Sequence, residues 1–123
     1  MTKRKTALIL CVVLLLSTIA IIAQGKKVVL TGYLLDQMCG AEAMDASKAA
    51  EHTKECALMD HCVAAGYGIF AEGKFIKFDA AGSKKAKALF ENTKKEKDIQ
   101  VIAEGILSGN VLTVSTLKEK GSK

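Results

Sequence analysis

Tryptophan and proline are absent from this 123-residue chain, aromatic residues make up 5% of it, and its one arginine is Arg4. A nucleic-acid surface needs concentrated basic charge and aromatic side chains on which bases can stack. Neither is present here. Eighteen Lys and Arg stand against 13 Asp and Glu, but Lys3, Arg4 and Lys5 crowd the first few positions and no acid accompanies them. Beyond that start the balance is 15 against 13, or +2. The densest remaining basic stretch, residues 84–97, is interrupted by Glu91 and Glu96 and reads as the solvated face of a helix. No nucleic-acid partner is expected. Familiar catalytic signatures are missing too: there is no Cys-x-x-Cys, no Cys-x-x-Cys-His and no phosphate-cradling glycine loop.

The chain opens with a basic start, an uncharged apolar run from Ala7 to Ala23, and then Gln24 and Gly25. That layout predicts a secretory signal over residues 1–23, cut after Ala20 or Ala23, and hence a periplasmic or secreted protein. The alternative is a membrane anchor formed by residues 7–23, because 17 uncharged residues lie at the lower limit for spanning about 30 Å of hydrocarbon. Cys11 lies inside this run.

The remaining 100 or so residues are enough for one domain with a modest core. Residues 27–36 are β-branched and aromatic, with Gly32 at a bend, and predict a first strand. Residues 41–65 contain neither proline nor glycine and predict two helices, the second starting near Thr53. Residues 68–71 and 74–78 flank Glu72-Gly73 as a hairpin. Ser83 is the expected cap of a helix running to Thr93, with Ala86, Leu89 and Phe90 facing inward. Residues 99–117 predict a second hairpin turning at Ser108-Gly109-Asn110, with Ile99, Val101, Ala103, Gly105 and Leu107 on one face and Leu112 and Val114 facing them. Residues 118–123 are expected to be a disordered tail. The predicted fold is mainly β, a five-stranded OB-like small barrel over residues 24–117 with a helical insert at 41–65. An α+β two-layer sandwich with an open sheet is the alternative.

Chemistry concentrates in Met38-Cys39 and in His52, Cys56, Met59, His61 and Cys62. On a helix His52 and Cys56 lie one turn apart on one side, and Met59 continues that side, a spacing a metal ion can use. Cys56 and Cys62 are six apart, a rise of roughly 9 Å on a continuous helix, so they should not pair unless the helix breaks. Two arrangements follow. In one, a disulfide joins Cys39 to Cys56 or to Cys62, the remaining cysteine is buried, and the domain is a stapled structural or interaction module. In the other, Cys39, His52, Cys56 and Cys62 surround zinc or copper. A thiol-disulfide redox protein is a third reading. A cysteine hydrolase built on Cys56 and His52 is disfavoured, since groups side by side on one turn open no substrate cleft. Asp36, beside Met38-Cys39, can line the cluster or serve in turn chemistry.

The runs at 31–39, 52–62, 66–68 and 73–79 together resemble a group of small exported bacterial proteins of unknown function, through the elements Asp-x-x-Cys, His-x3-Cys-Ala and a final Cys. The resemblance implies a barrel-type β domain with a cysteine-bearing helical insert, and it groups Asp36, Cys39, His52, Cys56 and Cys62. It implies no activity. The expected role is therefore a binding or accessory module, its partner a small ligand, a metal or an envelope protein.

Overall fold

The structure, a computed structural model, describes residues 25–42 and 45–121, so the expected signal at 1–23, with Cys11, lies outside the described residues. Five strands alternate with short helices: β1 (Lys26–Asp36), α1 (Gln37–Gly40), α2 (Ala46–Glu51), α3 (Lys54–Ala57), α4 (Asp60–Ala65), β2 (Tyr67–Ala71), β3 (Lys74–Phe78), α5 (Ala80–Asn92), β4 (Gln100–Ser108) and β5 (Val111–Glu119). None of the described helices is long and apolar enough to cross a membrane.

The strands form a mixed sheet in the order β1-β2-β3-β5-β4 that closes in a ring, β4 pairing back onto β1. The open two-layer alternative is thereby excluded. All neighbours are antiparallel except β3 and β5, which meet in a short parallel seam at Lys77 with Val111 and Phe78 with Leu112. Closure requires strongly curled strands, and two glycines make room for it. A Cβ on Gly32 would run into the Phe70 carbonyl, and one on Gly105 into the Thr113 carbonyl. Just past Gly32, at Tyr33, β1 passes from its β4 partner to its β2 partner; at Gly105 the β4–β5 register shifts by a residue.

The expected alternation fills the ring. Ile99, Val101 and Ala103 from β4 and its approach, Leu112 and Val114 from β5, and Leu30 and Leu34 from β1 are buried together with Ile69, Ile76 and Phe78. Helix α5 closes one end with Ala86 and Phe90, the latter stacked at 5.3 Å on Tyr67. The helix starts earlier than its sequence predicts. Asp79, not Ser83, is the N-cap, because its carboxylate both accepts the Gly82 N–H and takes the Val114 N–H from β5. Ser83 instead accepts the Tyr67 N–H. The expected tail from Lys118 also needs correction: β5 runs on to Glu119, whose partner is Val101, and the Lys120 N–H donates to Gln100. Pairing with the long β4 gives these charged residues a backbone partner that a polarity pattern does not reveal.

The end of β1 is buried on both faces. Leu34 points into the ring, while Leu35 packs outward against Phe70 and Ala49 of α2 in a small second cluster. This cluster is the floor on which the helical insert sits.

A candidate metal centre in the helical insert

Instead of the two helices expected over 41–65, the segment between β1 and β2 holds four short ones among the described residues, α1 ahead of that range and three within it, and side-chain caps mark where the first three begin. Asp36 ends β1 in extended backbone and its Oδ1 accepts the Cys39 N–H at 2.9 Å, starting α1. Thr53 does the same for α3, its Oγ1 accepting the Cys56 N–H at 3.1 Å. Each cysteine is thus the third residue after a capping side chain, the position whose N–H a cap satisfies. Met59 stands at the same place before Cys62, starting α4 without a side-chain cap.

The break between α3 and α4 overturns the continuous helix expected from Thr53. Leu58 leaves helical geometry and Met59 is extended, with φ −63° and ψ 144°. No proline or glycine marks the break. His52 also lies outside any helix, in extended backbone at the end of α2, so it and Cys56 do not share a helix face as expected. They converge nonetheless. One donor atom each from Cys39, His52 and Cys56 lie within 4.8 Å of one another, close enough to hold a metal ion, and no other such group occurs among the described residues.

Behind the imidazole sits Asp36, fully buried, with Oδ2 2.9 Å from His52 Nε2. The two atoms are at ion-pair distance but not aligned for a hydrogen bond, and neither has another hydrogen-bond partner. Burial alone would raise the Asp36 carboxyl, but contact with His52 and the Cys39 N–H outweighs it and draws the pKa down to about 2. The carboxylate is therefore a permanent buried negative charge. Burial and that charge together push Cys39 up to about 12 and Cys62 up to about 11, with Cys56 adding to both.

Of the other residues singled out by sequence, Cys62 is buried beside the cluster but outside the three-donor group. Met59 is 47% exposed and His61 is exposed, so neither joins it. The three cysteines among the described residues are free thiols, Cys39 and Cys56 lying 4.5 Å apart. Sequence reasoning missed two residues that hold the site in place. Tyr67, buried in the ring, donates its hydroxyl to the Ala57 carbonyl at 2.8 Å and so fixes the end of α3. Lys54 donates its backbone N–H to Glu96 and its Nζ to the Thr93 carbonyl, fastening the insert to the loop after α5. The Tyr67 bond spans 10 residues and the Lys54 side-chain bond 39, and neither leaves a local pattern to read.

Two clefts lie elsewhere, one over Val28, Gly105 and Val114 and the other between α5 and β5, and neither includes a residue of the insert. The three donors lie close enough together to hold an ion. Compared with family models, with curated proteins and with solved structures, the chain shows no match.

Proposed function

We propose that this chain is an exported metal-binding domain that holds one soft or borderline ion, zinc or copper, through Cys39, His52 and Cys56. The observation that carries the reading is the convergence of two thiols and an imidazole from three separate short helices and their caps, within 4.8 Å. Asp36 supports it. A histidine that ligates a metal ordinarily turns its other nitrogen to a carboxylate, which fixes the ring and raises its basicity. The export part of the proposal rests on residues 1–23. The ring order β1-β2-β3-β5-β4, with α5 between β3 and β4, favours an OB-like barrel as the carrier of the site.

Anaerobic titration with cobalt(II), a visible stand-in for zinc, tests the reading. One ion per chain with thiolate charge-transfer absorption is expected, abolished by His52→Ala and by Cys56→Ala. Asp36→Ala should bind about 10- to 100-fold more weakly. Absence of binding by the reduced protein to cobalt, zinc and copper(I) alike would sink the proposal.

A second reading is favoured by the 4.5 Å between Cys39 and Cys56, which a small shift could convert to a disulfide staple. It predicts a two-hydrogen mass deficit in the exported protein, reversed on reduction, and a silent His52→Ala. A thiol-disulfide catalyst fits less well. Such an enzyme needs a thiol of lowered pKa, and burial with the Asp36 charge drives Cys39 the other way.

A further inference from the structure

The distribution of soft donors along the chain is lopsided. Past Cys11, every cysteine, histidine and methionine lies between Met38 and Cys62, and the strands, α5 and their connections contain none. Two of these residues are unexplained by packing. Met38 on α1 is 50% exposed and Met59 at the head of α4 is 47% exposed, two of the four most exposed large apolar side chains among the described residues. Each lies close to the donor cluster along the chain. Met38 precedes Cys39 directly, Met59 follows Cys56 by three positions, and α1 packs against α4.

Met59 is the more telling. The insert repeats one arrangement three times, a capping residue followed three positions later by a cysteine: Asp36 with Cys39, Thr53 with Cys56, Met59 with Cys62. Asp and Thr satisfy the cysteine N–H with their side chains. Met59 cannot, and the Cys62 N–H turns to the Met59 backbone carbonyl at 2.9 Å. A thioether therefore occupies a position where Ser, Thr, Asp or Asn would stabilise the helix, and it gains little burial in exchange. A flexible, polarisable side chain held in solvent three residues along the chain from Cys56 and from Cys62 has a chemical use, however. Thioether and thiolate sulfur together select copper(I), whereas zinc draws on thiolate, imidazole and carboxylate and makes no use of thioether.

We propose that the ion of this site is copper(I), held by Cys39, His52 and Cys56, with the exposed thioethers of Met38 and Met59 as the outer donors through which it enters and leaves. The inference rests on the metal-site reading above. Transfer is ligand exchange: the copper stays in the +1 state, a thioether bond forms as a bond to the incoming or departing carrier breaks, and the thiols give up their protons to water as they bind.

The test follows copper(I) passing between the reduced protein and bicinchoninate, with cobalt(II) binding measured alongside, for the natural protein and for Met38→Leu, Met59→Leu and the double substitution. Leucine keeps the size and apolar character of a half-exposed side chain and removes only the sulfur. The double variant should exchange copper(I) about tenfold or more slowly, on the scale of losing a supporting donor, while cobalt binding is unchanged. Equal copper exchange rates in all four proteins would overturn the role of the thioethers, as would a parallel loss of cobalt binding. A natural protein that binds cobalt but takes no copper(I) from bicinchoninate would overturn copper and leave the metal site standing. Failure to bind either ion would remove the metal site itself.

Discussion

At the scale of single residues, the site and the ring meet in Asp36 and Tyr67, which are partners in the β1–β2 ladder. Tyr67 is 1% exposed, and burial, followed by the Asp36 charge, raises its hydroxyl to about 12. Because folding favours the neutral phenol, its contribution to stability is complete below pH 10 and is lost as pH rises towards 12. Tyr67→Phe should cost about 1–3 kcal/mol near neutral pH, since it leaves the buried Ala57 carbonyl without a donor. Denaturant melts across pH 8 to 12 should show the natural protein and the variant converging at the alkaline end. Parallel curves would mean that the hydroxyl is not buried. Little of this was legible in sequence, where Tyr67 stood only as part of a Gly-Tyr-Gly run. Its hydrogen bond to Ala57 depends on where the break at Leu58 and Met59 lets α3 stop, and nothing in those two residues announces a break.

At the scale of elements, strands were easier to foresee than helices. Val101 and Ala103 alternate with exposed or half-exposed neighbours, and period-two burial survives almost any change in the surroundings. Helix starts do not share that robustness: Asp79 outcompetes Ser83 because its carboxylate also reaches the Val114 N–H, a partner 35 residues away. The curl of β1 and β4 was signalled by Gly32 and Gly105, and the structure shows the carbonyls that press on them. Gly105→Ala should therefore destabilise the domain by upward of about 2 kcal/mol, because a backbone carbonyl, unlike a flexible side chain, cannot swing aside. Gly32→Ala should behave alike. Thermal melts of the two variants within a degree of the natural protein would show that ring closure tolerates a methyl group at these points.

At the scale of the whole molecule, the parallel β3–β5 seam lay beyond sequence reasoning, since it joins segments that each look complete as hairpins. The same architecture separates stability from chemistry. The main core is drawn almost wholly from the ring and α5, while the insert rests on the small cluster of Leu35, Ala49 and Phe70. Removing a bound ion should accordingly leave ring amides such as Ile69 and Val101 protected, while those of Cys39 and Cys56 exchange faster and slow again on adding it back. Ring amides losing protection along with the insert would show that the ion holds the fold together. The insert leaves the ring after Asp36 and returns at Tyr67, and these two residues face each other across one ladder. Thirty residues, 37–66, thus leave and re-enter the sheet through a single doorway, and Lys54 ties them besides to the loop after α5. Because the entropy of closing a loop grows only slowly with its length, a tight turn could span that doorway as readily as the present insert does. Replacing residues 37–66 by a tight turn at the 36–67 rung should leave the ring of strands closed.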